Sequence, residues 1–157
     1  MKKGCRKEMK DNINIRKMEM KDICQVLFIE KMSFATPWAR ESFERELREN
    51  KLAKYIVAEI DKKVVGYGGV WLILDEGHIT NIAVHNEYRG FGIGHSLVDG
   101  LINVCDELNI ERMTLEVRIS NIFARNLYKN HGFVDIGIRP GYYADNKEDA
   151  VIMWKEL

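Results

Sequence analysis

Proline and cysteine are scarce in this chain. Only Pro37 and Pro140 occur in 157 residues, and no Gly/Ser- or Pro-rich stretch separates one part from another. A linker therefore has nowhere to sit, and no internal repeat is visible. A chain of this length suits one domain that buries about 68–70% of its unfolded surface. The cysteines, Cys5, Cys24 and Cys105, are odd in number, and their spacings fit neither a zinc pair nor a CxxC redox site. Reduced thiols and a cytoplasmic location are the resulting expectation. The histidines at 78, 85, 95 and 131 include no i,i+4 pair, so no metal site is expected.

Net charge is also lacking. The 24 basic and 24 acidic side chains cancel, which argues against a general attraction to nucleic acid. No apolar run approaches the roughly 20 residues needed to span a bilayer, so no membrane partner is expected. The longest run, Val70 to Leu74, reads as a buried strand. One asymmetry remains at the start, where Lys2, Lys3, Arg6, Lys7 and Lys10 outweigh Glu8 and Asp11. Without an apolar core this stretch is neither a secretory signal nor an anchor. Residues 1–12 are expected to be a solvated, flexible tail, and 13–157 one domain.

Periodicity supplies the element order. Ile13 and Ile15 alternate with polar neighbours and predict a short strand. Residues 19–32 carry Ile23, Val26 and Leu27 on one helical face. Phe34-Ala35-Thr36-Pro37-Trp38 breaks that helix, because proline disfavours helix at the residue before it. Residues 40–50 are helical again, with Phe43 and Leu47 at i and i+4. Strands follow over 55–60, 64–74 and 78–84, joined by short turns that imply an antiparallel meander. Leu97, Leu101, Val104 and Leu108 mark a helix, 112–118 a strand, and Phe123, Ala124 and Leu127 another helix. Ser120-Asn121 suits the cap of that helix and Gly132 its left-handed end. Residues 133–138 and 150–154 complete an α/β fold, a mixed and mostly antiparallel sheet of about seven strands with about four helices.

The most informative segment is Tyr88-Arg89-Gly90-Phe91-Gly92-Ile93-Gly94-His95-Ser96, between a strand and a helix. Three glycines at alternate positions let the backbone pass close to a ligand and turn its amides outward. At a helix start those amides meet the positive end of the macrodipole, which favours a phosphate. An ordinary Gly-rich turn is the competing reading of the glycines alone. A Walker A loop is absent, and a Rossmann fingerprint would need a small residue where Leu97 stands.

Arg89-x-x-Gly92-x-Gly94 in this setting resembles the acetyl-CoA diphosphate loop of the GNAT acetyltransferase superfamily, and the element order is similar to that fold. Further segments resemble its RimI-type, ribosomal-protein-alanine branch: Phe34-x-x-Pro37-Trp38, the run from His78 to Val84, Leu115-Glu116-Val117-Arg118-x-Ser120-Asn121, Leu127-Tyr128-x-x-x-Gly132-Phe133, and Arg139-x-x-Tyr142-Tyr143-x-Asp145. The resemblance spans roughly 13–157. It departs at Phe91, where related loops often carry a basic residue, and at Asn86, where proline is common. Both departures bear on affinity for the cofactor.

The resemblance implies acetyl transfer from acetyl-CoA to a protein N-terminus, the alanine terminus of a small-subunit ribosomal protein. Other termini, a small amine, or a non-catalytic acyl-CoA sensor are the alternatives. The chemistry is consistent with a terminus: at pH 7 roughly 10% of an α-amine is neutral against about 0.04% of a lysine amine. By resemblance Glu116 is the base and Tyr128 the acid for the departing thiolate. An ordinary glutamate lies nearly four pH units below an α-amine, a mismatch of roughly 5 kcal/mol. Glu116 must then be raised by burial, or act through water. Cofactor contacts are expected from Ile82, Ala83, Val84, Arg89, Gly90, Phe91, Gly92, Ile93, Gly94, His95 and Asn121. Phe34, Trp38, Arg139, Tyr142, Tyr143 and Asp145 are expected to line the acceptor groove, where aromatics and a carboxylate suit an entering ammonium.

Overall fold

The computed structural model describes residue 8 and residues 12–157. Apart from Glu8 and Asn12, the charged stretch 1–12 lies outside the described residues. Seven strands form one sheet: β1 (Asn14–Lys17), β2 (Ala53–Ile60), β3 (Lys63–Ile73), β4 (Glu76–Val84), β5 (Arg112–Arg118), β6 (Val134–Arg139) and β7 (Ala150–Glu156). Four α-helices accompany them: α1 (Ile23–Ser33), α2 (Arg40–Arg48), α3 (Ile93–Glu107) and α4 (Ile122–Asn130). The spatial order is β1-β2-β3-β4-β5-β7-β6. Every pairing is antiparallel except that of β4 with β5.

The parallel pair arises because α3 carries the chain back across the sheet between β4 and β5, as parallel neighbours require. Its pairing is short. Glu76, Gly77 and His78 face Arg112, Met113 and Thr114, and beyond them the two strands share no register. β5 instead pairs along its whole length with β7. A bulge at Thr80 accompanies the divergence, since Gly69 faces Asn81 while Val70 faces Ile79.

Alternation along β5 sorts its side chains. Met113, Leu115 and Val117 are buried beneath α3 and α4 with Leu97, Leu101, Leu127 and Met153. Thr114, Glu116 and Arg118 point to the other face, as the two-residue strand period requires. On that other face Met18, Ile23, Val26, Ile29, Phe43 and Tyr67 form a second core under α1 and α2. These helices pack against β2, β3 and β4. Glu116 therefore stands at the edge of the helix layer.

One expectation is corrected. The run Val70 to Leu74 is not a buried strand throughout. Val70 is fully buried, but Leu74 is 94% exposed with φ +56° in the tight turn to β4. The hairpin register needs a left-handed residue there, and that requirement outweighs the hydrophobicity of leucine. The helix after the glycines also starts earlier than its apolar pattern indicates, at Ile93, because Gly92 serves as its N-cap with φ +82°.

Arg16 ties the start of the domain together. Its guanidinium contacts both oxygens of Asp22 at 2.8 Å and Glu59 Oε2 at 2.9 Å, joining β1, the entry to α1 and β2. Burial alone would raise the Asp22 carboxyl, but Arg16 and the Glu19 amide hold it below its ordinary value. Arg16→Met leaves a nearly buried carboxylate unpaired. It is expected to cost about 3 kcal/mol in urea unfolding, the low end for a broken buried pair because Arg16 is partly exposed. A loss well under 1 kcal/mol would show that solvent compensates Asp22.

Candidate active site

The divergence of β4 and β5 opens a cleft of about 570 Å³. Ile79 to Ile82 line one wall and Leu115 to Arg118 the other. Glu116, Tyr128 and Asn121 come together here with Phe34, Trp38, Tyr143 and Asp145. A second cleft, about 720 Å³, runs between α2, β2 and α3. It is lined by mixed charges and contains none of the predicted site residues, so the chemistry belongs to the smaller one.

Glu116 lies between a histidine and an arginine. His78 Nε2 lies 2.6 Å from its Oε2, and Arg139 Nε lies 3.3 Å from its Oε1. The hydrogen bond from His78 pulls the carboxyl below its ordinary range. Burial opposes this, and the charges of His78 and Arg139 reinforce it. The expectation that burial raises Glu116 therefore fails, because its partners outweigh its desolvation. If Glu116 serves as base, a lowered carboxyl is compatible with the second route, an ionised carboxylate working through water on an amine that is already partly neutral.

Tyr128 projects from α4 and packs edge-on against Phe133 at 5.8 Å. Burial, with the nearby Tyr143, raises its phenol, so the group stays protonated and is a donor. Asn121 caps α4 by accepting the Ala124 amide at 3.1 Å. Its side-chain nitrogen is left for other work. α4 is thus anchored at its first turn while its far end presents a phenol to the cleft.

The glycine segment sits at the head of α3, outside this cleft. The first intrahelical bond there is Ser96 N–H to the Gly92 carbonyl, 3.1 Å, so the amides of Ile93, Gly94 and His95 precede it and have no helical partner. A Cβ at Gly94 would come 3.3 Å from the Leu127 side chain where α3 and α4 touch, so Leu127 would have to shift by a few tenths of an ångström. Ile93 is core and Phe91 packs against that core, so each can offer only its backbone to an anion. Arg89 Nε reaches the Val84 carbonyl at 3.4 Å and braces the loop. His95 contacts His131 at 2.9 Å. Ile82 and Val84 pack toward α3 and Ala83 toward α1, which leaves the backbone of this stretch as the polar edge beside the divergence.

The acceptor side is more divided. Phe34 and Trp38 line the cleft from the loop after α1, and Trp38 packs on Phe43 at 5.3 Å. Tyr143 and Asp145 line it from the loop before β7. Asp145 is not a free carboxylate for an ammonium, as expected, because Arg118 Nη2 contacts its two oxygens at 3.1 and 2.9 Å. Arg118 also binds Glu148 and stacks 4.0 Å from the centre of the Tyr143 ring. That cluster clamps the 140–149 loop. Arg139 reaches Glu116, whereas Tyr142 is 49% exposed and stands outside the cleft lining.

Two residues went unread in the sequence. His78 enters the sequence reading as a candidate metal ligand and as the first residue of the His78–Val84 run that carries the resemblance, with no role of its own; its position at the start of the strand parallel to that of Glu116 is the available signal. Glu30 is 2% exposed yet lines the cleft, with Oε1 accepting the Trp38 amide at 3.0 Å and Oε2 unpartnered. Burial raises its carboxyl. Its place within an amphipathic helix gave no sign of this.

A diverging parallel strand pair, a glycine-capped helix with free leading amides, and a carboxylate and a phenol in one cleft are joint properties of acyl-CoA-dependent N-acyltransferases. Residues 20–133 match the family model described as acetyltransferase (GNAT) family. The chain belongs to the GNAT acetyltransferase family. It is 46% identical over 93% of its length, and 97% of the other's, to a Bacillus subtilis protein provisionally named [ribosomal protein bS18]-alanine N-acetyltransferase. It is 32% identical over 88% of its length and 94% of the other's to the Escherichia coli K12 protein named [ribosomal protein bS18]-alanine N-acetyltransferase. The crystal structure of the ribosomal-protein-S18-alanine N-acetyltransferase from Escherichia coli superposes with TM-score 0.83 at 30% identity, covering 92% of this chain and 93% of that one. Acetyl-CoA is the acyl donor of the family, and the free amides at the head of this α3 fit its diphosphate. Among the described residues no helix is long and apolar enough to cross a membrane.

If Glu116 serves as base, Glu116→Gln lowers kcat at least about ten-fold with little change in acetyl-CoA Kd. Tyr128→Phe likewise slows single-turnover transfer while leaving the unfolding midpoint in place. Normal turnover in either variant would assign that side chain to packing.

Proposed function

We propose that this enzyme transfers the acetyl group of acetyl-CoA to the N-terminal α-amine of a protein, and that its acceptor is the alanine terminus of a small-subunit ribosomal protein. The observation that carries the reading is the cleft itself. In this reading the acceptor enters between the Phe34–Trp38 loop and the clamped Tyr143 loop, which line the cleft together with Glu116. A chain end can enter between two such loops, and backbone beyond the first residues can lie along their aromatic edges.

The protonation state of Glu116 favours the same acceptor. A carboxylate held low is a weak base, and it suits an amine whose neutral form is already a useful fraction at pH 7. A lysine side chain would need a stronger base. The ribosomal acceptor is supported by the names of the relatives from Bacillus subtilis and Escherichia coli, and a cytoplasmic site of action accords with it. A broader range of protein termini is the second reading. It is favoured by a Sulfurisphaera tokodaii relative, named N-alpha-acetyltransferase, at 34% identity over 88% of this chain and 90% of the other.

Mass spectrometry of unmodified ribosomal proteins incubated with the enzyme and acetyl-CoA separates the readings. One acetyl on the first residue of an alanine-terminated small-subunit protein is expected, with turnover of a matching peptide falling when that alanine is replaced. Acetylation confined to lysine side chains or to small amines would contradict the proposal. Equal turnover of peptides with many different first residues would favour the broader reading.

A further inference from the structure

We propose that Glu30 is the positioning residue for the acceptor, holding both ends of the Phe34–Trp38 loop and setting that loop against the strand that borders the cleft. The inference rests on the reading that a protein terminus enters beside this loop. It names the residue that fixes the wall the terminus meets.

The loop has little of its own to hold it. Pro37 has no amide to donate. α2 begins at Arg40 behind Ala39, whose methyl side chain gives the helix no cap. Two hydrogen bonds close the segment, and both end on Glu30. The Phe34 amide donates to the Glu30 backbone carbonyl at 3.1 Å, which completes α1. The Trp38 amide donates to Glu30 Oε1 at 3.0 Å, across eight positions of sequence. Phe34 and Trp38 are thereby both brought to the cleft lining. Losing the side-chain bond would free the Trp38 end while α1 stays intact.

The same carboxyl lies beside β4. Thr80 Oγ1 donates to Asn81 Oδ1 at 2.9 Å, at the bulge where β4 leaves β5. Burial raises the Glu30 carboxyl, and the Trp38 amide and the Asn81 side chain oppose that rise. Asn81 Nδ2 and Glu30 Oε2 are both buried without a hydrogen-bond partner. A carboxyl only 2% exposed costs stability that an apolar residue on this helix face would not. Its return is geometric: Thr80, Asn81, Glu30 and Trp38 form a series of polar groups from the bulge to the acceptor wall. An acceptor resting on that wall is placed relative to the strand edge, which is what aligns two reactants.

The test uses the full chain, acetyl-CoA and an alanine-first peptide, with Glu30→Ala and Glu30→Gln. Gln keeps a carbonyl oxygen for the Trp38 amide, and Ala does not. Glu30→Ala is expected to raise the peptide KM about ten-fold, the scale of one lost hydrogen bond with a buried donor left over. The loss should fall on KM rather than kcat, with acetyl-CoA Kd unchanged. Glu30→Gln is expected to restore the peptide KM to within about three-fold of wild type. The proposal is overturned by a wild-type KM in Glu30→Ala, or by a rise in Glu30→Gln as large as in Glu30→Ala. A matching loss in acetyl-CoA Kd also overturns it, because that marks damage to the whole fold. Should Glu30→Ala not fold, amide hydrogen exchange by NMR decides on wild type and Glu30→Gln. Protection of the Trp38 amide in both supports the proposal, and exchange as fast as that of Ala35 and Thr36 overturns it. Wild-type enzyme that leaves the peptide unmodified overturns the acceptor reading instead, a result that no change confined to the variants can imitate.

Discussion

The structure depends on a parallel strand pair that is not allowed to finish. Three rungs join β4 to β5, and then β5 commits its hydrogen bonds to β7 while β4 bends at its Thr80 bulge. Unpaired strand backbone is costly when buried and useful when a ligand can satisfy it. The open edge of β4 beyond Ile79 is therefore a place for an extended molecule. The same geometry sets Glu116 and Tyr128 beside that edge, since one sits on the diverging strand and the other on the helix that follows it. The glycine-capped start of α3 follows from the same connection, because the crossover helix must begin where β4 ends.

Charge in the site is arranged in opposed pairs. Glu116 is held low by His78 and Arg139, while Glu30, nearly out of solvent with one oxygen unpartnered, is held high by burial. Two of the carboxylates lining the cleft are thereby kept in different protonation tendencies, the pattern by which a site separates a group that takes protons from one that keeps them. Arg118 has another purpose. It neutralises Asp145 and Glu148 and stacks on Tyr143, so the loop before β7 is fixed before any acceptor arrives.

Most of the architecture was legible because it is written in local periods. The alternation of Met113, Leu115 and Val117 with polar neighbours marks which face of β5 is buried, and Leu97 and Leu101 predicted the face of α3. Asn121 was read as a cap and accepts the expected amide. Boundaries failed where a turn overrode hydrophobicity, as at Leu74, or where a helix began on glycine, as at Gly92. The electrostatics of the site were not legible. His78 and Glu116 are 38 positions apart, and Arg118 and Asp145 are 27 apart, so only strand register and loop closure bring them together. The resemblance offered Glu116 as the base, and the structure puts it in the cleft, but nothing in the resemblance pointed to the partners that lower its pKa.

The central claim is that the backbone at the head of α3 grips a diphosphate, so that the thioester end of the cofactor lies along the open edge of β4. Calorimetric titration with CoA and with pantetheine, which lacks the diphosphate, tests it most directly. The account predicts saturable binding of CoA at one site, at least about a hundred-fold tighter than pantetheine, consistent with several charge-assisted amide contacts. No association with CoA, or equal affinity for the two, would contradict it.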